Sequence, residues 1–512
     1  MDVRTQMRRA VQFNRDRPAV ITADRVLSFA EAWERGCRLA NGLLSLGVRP
    51  GDRVGGLEDN NLAAADFFIG CAVGGFCRVP LYPRNSPEAH AHMLEHTGAT
   101  AVMADEAHAA GVRGLDGRLA DLAHVLVRDG GYEDWLAAQS ADDPEVRISE
   151  DDWYVIRHSG GTTGRAKGVA YTHKDWLLVC RNWAYPIARI EPHSVVGHAG
   201  PISHGSGYLF LPGWLHGAAN LLFGAFEPGT VLELMERHRM SHMFVVPTIL
   251  AALTRHPTAA TRDWSALRAF VVGGAPITDD TALSAHGVFG DTLYQGFGQT
   301  EALPLAFMGP QEWFGDIPGS TPLRAAGRVM PYAELEIWDE DGNPLPIGSE
   351  GEIVAKVEGQ MRGFWGDPEL SAVRIVDGWV RTGDIGRIDA NGYVYVLDRA
   401  DDMIISGGFN IWPAELETVL CDHPAVVEAA VFGVPDERWG ESPVAVVCVD
   451  GITPVTEAEL IERCRDRLGS YKKPARVEIR TEPLPKSVVG KLQRKALREP
   501  YWAGHDRRVA GN

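Results

Sequence analysis

The chain has 512 residues, too many for one hydrophobic core, so two or more domains are expected. Its 45% hydrophobic and 23% charged residues are ordinary for a soluble globular protein. The formal charge of −18 at pH 7 argues against broad binding to nucleic acid or to an anionic membrane, although net charge says nothing about a single pocket.

In chain order, the N-terminus "MDVRTQMRRAVQFNRDRP" has no apolar signal core. Ser28 and Glu31 make a capping box, and Trp33, Cys37, Ala40 and Leu44 follow at helical spacing. The apolar run over residues 67–77 ends at Arg78 and is too short to span a bilayer. "WYVIRH", "MFVVP" and "AFVVGG" read as short buried strands that stop at turn or glycine signals. Their alternation with helical patterns implies α/β layers with largely parallel sheets. Near residue 330 the texture changes: "ELEIWDEDGNPL", "GEIVAKV" and "GYVYVLDRADD" predict hairpins joined by Asp-Gly and Asn-Gly turns.

After residue 400 a smaller unit begins. Pro413 suits the first turn of a helix, Thr456 and Glu459 cap another, and "AAVFGV" and "PVAVVCV" read as strands between them. The expected domains are therefore 1–400 and 401–512, divided in the charged stretch 398–402. Seven cysteines show no CxxC or Cys/His metal spacing, and their odd number fits buried thiols in a reducing compartment. The final "VAGN" carries no targeting signal, and a cytoplasmic protein is expected.

The stretch "HSGGTTGRAKG", residues 158–168, follows the "WYVIRH" strand, so its backbone is expected to emerge from a sheet edge. Glycines let several N–H groups converge on one anion, Thr162 and Thr163 add hydroxyl donors, and Lys167 adds a mobile charge. It is not the P-loop pattern, because the lysine follows Ala166 and precedes Gly168. Taken alone, it reads equally as a solvated turn.

Five further stretches decide its context: "PISHGSG" (201–207), "YQGFGQTEA" (294–302), "WVRTGD" (379–384), "DRADDMIISGGFNIWPAELE" (398–417) and "PKSVVGK" (485–491). With the loop, this ordered set resembles the adenylate-forming superfamily of acyl- and aryl-CoA synthetases, peptide-synthetase adenylation domains and luciferases, from about residue 15 to 500. The resemblance implies an α/β fold: a large N-terminal domain of two α/β sheets plus a β-barrel-like subdomain, then a small mobile C-terminal α+β domain, with the site between them.

It also implies roles. Thr162, Thr163, Gly164 and Lys167 hold the β- and γ-phosphates of ATP; Ala166 replaces the usual proline without removing a donor. Phe297 stacks on adenine, with Gly274, Ala275, Gln295 and Gly296 around the nucleotide. Thr300 donates to the α-phosphate, and Glu301, with Thr162, holds Mg²⁺. Asp384 accepts from both ribose hydroxyls, and Arg399 reaches the ribose region. Lys491 supplies positive charge between the attacking carboxylate and the α-phosphate, while Lys486 is a solvated or supporting residue. His204 gates the acyl pocket sterically and by polarity, the alternative being a satisfied structural histidine. Pocket walls are expected around Trp183, His204, Val246, 273–275 and 295–298. Arg157 and His158 replace commoner residues before the loop, and either recognise an extra acidic group or simply pack.

Rotation about a hinge at Asp401 then exchanges Lys491 for the "SGGFN" segment, where Gly407 and Gly408 let a pantetheine arm pass. Trp439 resembles the tryptophan that flanks CoA, and Tyr471 and Lys473 match an aromatic-basic stretch that meets its adenine and phosphates. The expected activity is an AMP-forming acid–CoA ligase that uses ATP, Mg²⁺, CoA and a small-molecule carboxylic acid, with no nucleic-acid or membrane partner. The resemblance also allows a homodimer. No aspartate that would grip a substrate ammonium stands in the "PISHGSG" segment, which argues against an α-amino acid. Three other readings stay open: loading of a carrier-protein pantetheine, activation of a non-carboxylate nucleophile such as nitrite, and a non-catalytic nucleotide-binding protein. Retention of Glu301, Asp384 and Lys491 together speaks against the last.

Overall fold

The computed structural model describes residues 1–159, 166–399, 402–406, 409–436, 438–486 and 492–503. The predicted loop residues Thr162, Thr163 and Gly164, the hinge Asp401, Gly407, Gly408 and Lys491 lie outside these, as do the side chains of Arg399 and Tyr471.

Three sheets organise the chain. The first has seven strands in the order Gly363–Phe364, Lys167–Thr172, Trp153–Ser159, Cys77–Pro80, Arg53–Leu57, Ala101–Asp105, His124–Arg128. From Trp153–Ser159 outward to His124–Arg128 the neighbours run parallel, while Lys167–Thr172 turns back antiparallel on Trp153–Ser159. "WYVIRH" is thus an interior strand, and the phosphate-loop segment joins the two arms of a hairpin instead of leaving a sheet edge. The prediction missed this because the returning strand has no turn signal other than the loop itself.

The second sheet has fourteen strands, thirteen of them in one path and the short Ile375–Val376 paired at its side with Trp379–Ile388. Ala219–Leu222, Val195–His198, His242–Val245, Ala269–Gly273 and Leu293–Gln299 are its parallel centre. Ala302–Met308 then reverses direction and leads into antiparallel strands, among them Ala333–Trp338, Gly351–Val357, Trp379–Ile388 and Tyr393–Arg399. This is the expected hairpin-rich part. Gly342 and Gly392, with φ +84° and +83°, sit in its Asp-Gly and Asn-Gly turns, where a side chain would be strained. Ile337, Ile353, Val394 and Ala306 fill its small interior, so it curls as a barrel would while remaining hydrogen-bonded to the parallel sheet.

Helices between these two sheets supply the main core. Ser28 caps Phe29–Ser45 through a reciprocal box with Glu31, its N–H donating to the Glu31 carboxylate at 2.8 Å. The helix Leu62–Gly74 is apolar apart from Asp66 and buried from Ala64 onward, which accounts for the apolar run seen in the sequence. Phe67 and Phe68 there, and Phe210 and Trp214 of a short helix, lie in one cluster with strand residues Tyr154, Tyr171, Val196 and Val271. Each such aromatic contributes about 2–3 kcal/mol by burial. No helix of the described residues is long and apolar enough to cross a membrane.

The third sheet has five strands and a separate core around Leu416, Val431, Val447 and Leu460. Helix Pro413–Cys421 carries its proline at the first turn, and Thr456 caps Glu457–Leu468 by accepting the Glu459 N–H. All seven cysteines are free, six of them buried.

Candidate active site

The parallel strands of the second sheet end at Gly273 and Gln299, and open α/β sheets bind ligands beyond such carboxyl ends. Gly273 lies opposite Gly296, and a Cβ on it would stand 2.7 Å from the Gly296 carbonyl oxygen. A Cβ on Gly296 would press the Phe307 ring at 2.9 Å. Only glycines fit this floor. Gly274 follows at φ +82°, exposed, with Val246 as its nearest neighbour and Ala275 half-buried beside it. Gln295 is buried with its Oε1 unpartnered, and Phe297 is half-buried opposite Ala306.

Thr300 and Glu301 form the tight turn that pairs Gln299 with Ala302. Two outside groups pin it: the Tyr171 hydroxyl donates to the Thr300 carbonyl, and the Met361 N–H donates to the Glu301 carbonyl at 2.9 Å. The first sheet is thereby tied to the turn of the second. Asp384, 4% exposed, lies across from Arg399, and its N–H donates to the Thr382 hydroxyl at 3.0 Å. The Gln299 amide donates to the Asp384 carboxylate and, at 2.9 Å, to the Thr382 carbonyl. The predicted adenine, α-phosphate and ribose residues therefore converge.

Lys167 pairs with Ser159 at the foot of the phosphate loop, and its Nζ is 5.9 Å from the centre of the Phe364 ring. No group of three or more His, Cys, Asp or Glu suited to a metal occurs among the described residues. The single Glu301 carboxylate fits a magnesium ion held mainly by phosphate oxygens.

Beside this turn lies an aromatic cluster, where the sequence places the acyl pocket. Trp183 stacks on Tyr208 with ring centres 5.0 Å apart, and meets Phe244 and Phe307 edge-on at 5.4 and 6.1 Å. His204 meets Tyr82 edge-on at 4.2 Å, and its Nδ1 is 3.1 Å from the Ser203 hydroxyl. Burial, then the charge of Arg157 and the ring of His158, hold His204 well below the usual histidine range. It is a neutral ring at pH 7, which suits the gating role. Val246 is further off, beside Gly274.

Arg157 and His158 project to opposite faces of their strand. Arg157 lies over the rings of Tyr208 at 4.6 Å and Trp176 at 5.6 Å, toward the pocket. His158 faces His96, 3.5 Å away, and burial pushes it down to about 3.

The C-terminal candidates are more dispersed. Trp439 is 47% exposed with the Arg438 guanidinium over its ring at 4.5 Å. Lys473 is half-buried, but the adjacent Lys472 is tied to Glu415 at 2.6 and 2.9 Å. Lys486 pairs with Glu428, consistent with a supporting role. Sequence reading missed Arg494, three residues beyond Lys491, which gathers Asp398 at 3.0 Å, Asp402 at 2.9 Å and Glu417 at 2.6 Å. Its signal was the acidic pair within 398–402, which needs a cation. It also missed Gln299, to which it gave no role, and the ring partners Tyr208 and Phe244.

Residues 7–365 match the AMP-binding enzyme family, and residues 415–491 match the AMP-binding enzyme C-terminal domain. A feruloyl-CoA synthase of Amycolatopsis is 36% identical over 93% of this chain and 94% of its own. A fatty acid–[acyl-carrier-protein] ligase, ScoC of Streptomyces coeruleorubidus, is 30% identical over 96% and 95%. ATP-bound MatB of Rhodopseudomonas palustris superposes with a TM-score of 0.88 at 28% identity, covering 98% of this chain and 99% of that one. With family matches over 7–365 and 415–491 and relatives that cover nearly its whole length, the chain belongs to the AMP-binding enzyme family.

Proposed function

We propose that this protein is an AMP-forming acid–CoA ligase. In the first half-reaction an oxygen of the substrate carboxylate attacks the α-phosphorus of ATP, the bond to the β-phosphate bridging oxygen breaks, and pyrophosphate leaves. In the second, the CoA thiolate attacks the acyl carbon and AMP leaves, giving the thioester. The observation that carries the reading is the convergence of Gln299, Thr300, Glu301 and Asp384 beside an aromatic cluster with a neutral histidine.

Thr162, Thr163, Gly164 and Lys167 hold the departing phosphates. Phe297, Gly274, Ala275, Gln295 and Gly296 take the adenine, while Asp384 and Arg399 take the ribose. Glu301, with Thr162, holds Mg²⁺, which when bound screens phosphate charge. Thr300 and Lys491 stabilise charge that builds as the carboxylate approaches the α-phosphate. His204 gates the acid without exchanging a proton. Pivoting of 401–512 about Asp401 brings Gly407 and Gly408 to the pantetheine arm, with Trp439, Tyr471 and Lys473 beside CoA.

One observation favours a second reading, transfer to a carrier-protein pantetheine. Glu415 already occupies Lys472, which leaves the predicted CoA-phosphate spot less basic than the sequence suggested. The test is Lys491→Ala. Adenylation, followed as pyrophosphate release, falls at least about a thousandfold, whereas thioester formation from pre-made acyl-adenylate survives. Normal adenylation by this variant would refute the role of Lys491. Thioester formation on a phosphopantetheinyl carrier but not on CoA would favour the second reading.

A further inference from the structure

Arg157 is the unexplained charge of the pocket. It is 6% exposed, and its Nη1 is buried without a hydrogen-bond partner. Among the described residues no carboxylate forms an ion pair with it. Its neighbours are the faces of Tyr208 and Trp176 and the ring of His204, whose protonation its charge opposes. Arg128 meets Glu58 and Asp105, and Arg35 meets Asp66 and Glu133, whereas Arg78, 3% exposed, lies like Arg157 over two rings, those of Phe68 and Tyr154, but away from His204 and Tyr208. Aromatic faces offset part of the cost of burying a guanidinium, but they leave its in-plane N–H donors unused.

A buried guanidinium with an unpartnered Nη1 fits an anionic oxygen group, above all a carboxylate. The reacting carboxylate is a poor candidate. It loses its charge on adenylation, and Arg157 is fixed in an interior strand, so the guanidinium would be unpaired again for the rest of the cycle. An anion that persists through both half-reactions must belong to another part of the acid.

We propose that Arg157 is a specificity residue of the acyl pocket and that it holds a second carboxylate of the substrate, making the preferred substrate a dicarboxylic acid whose non-reacting end lies against Tyr208 and Trp176. This rests on the acid-activating function proposed above.

The experiment uses the full chain and matched acid pairs that differ only in the charge of the distal group: adipate against its monomethyl ester, and 4-carboxycinnamate against the ester of its ring carboxylate. Pyrophosphate release gives kcat/KM for wild type, Arg157→Met and Arg157→Lys. Wild type favours the diacid in at least one pair by about tenfold or more, chiefly through KM. Arg157→Met lowers that preference at least tenfold, and Arg157→Lys retains part of it. If Arg157→Met does not fold, the wild-type preference and its partial retention in Arg157→Lys decide. Activation of the monoesters with no preference for either diacid overturns the inference, leaving Arg157 as packing, and leaves the function intact. The inference falls equally if Arg157→Met lowers both members of a pair alike. Release of pyrophosphate from none of the acids overturns the inference together with the function.

Discussion

Replacing Arg494 with methionine removes the cation that three carboxylates share. Its side chain is 16% exposed, and it meets Asp398, Asp402 and Glu417 at 3.0, 2.9 and 2.6 Å. Burial opposes its charge, but Glu417, Asp398 and Asp402 override that and hold it firmly protonated. Asp398 stands in a strand of the fourteen-stranded sheet and also accepts the Ala414 N–H at 2.8 Å, so the cluster fastens the start of the third-sheet unit to the larger one. Methionine fills much of the volume but takes away the cation that the converging carboxylates share, which costs about 3–5 kcal/mol at neutral pH. Urea unfolding at pH 7.5 measures the loss. Pyrophosphate release is expected to fall more than thioester formation from pre-made adenylate, since Lys491 lies three residues away. A loss under about 1 kcal/mol, the size of an ordinary surface pair, would refute the reasoning.

Three other outcomes follow from the geometry. Burial holds His173, His198 and His242 down to about 4, so these rings are neutral in the folded protein and gain protons first on unfolding. Stability is therefore full above pH 6.5 and falls as pH drops from 6.5 toward 4, by about 2 kcal/mol per ring at pH 5; equal unfolding free energies at pH 7 and 5 would contradict this. Gly207→Ala would set a Cβ 1.8 Å from the Ile202 carbonyl oxygen, so the backbone carrying His204 must shift. A melting point unchanged within error would show that the turn is looser than described, since such overpacking costs about 1–3 kcal/mol. Gln299→Ala removes the donor shared by Asp384 and the Thr382 carbonyl, and the KM for ATP should rise by about tenfold with the KM for the acid unchanged.

Local rules made much of the fold legible. The Ser28 box, the proline at 413, the Thr456 cap and the Asp-Gly and Asn-Gly turns act within a few residues, so the sequence displays them directly. The "AFVVGG" stretch announced a strand, and its Gly273 proves to be required by the close approach of the Gly296 carbonyl. What escaped depends on pairing between distant segments. Nothing local marks Lys167–Thr172 as the partner of Trp153–Ser159, so the loop was assigned to a sheet edge. Arg157 looked like a substitution of unclear purpose, because Tyr208 and Trp176, which give it meaning, are far away in the chain. The same holds for Arg494, whose acidic partners lie 77 to 96 residues earlier.

The central claim is that a carboxylic acid is activated with ATP and passed to CoA. Its most direct test is mass spectrometry of the products from ATP, Mg²⁺ and a panel of mono- and dicarboxylic acids, with and without CoA. The account predicts AMP and an acyl-CoA thioester that appears only when acid, ATP and CoA are all present. ATP left unconsumed, or AMP formed with no CoA-dependent thioester for any acid, would contradict it.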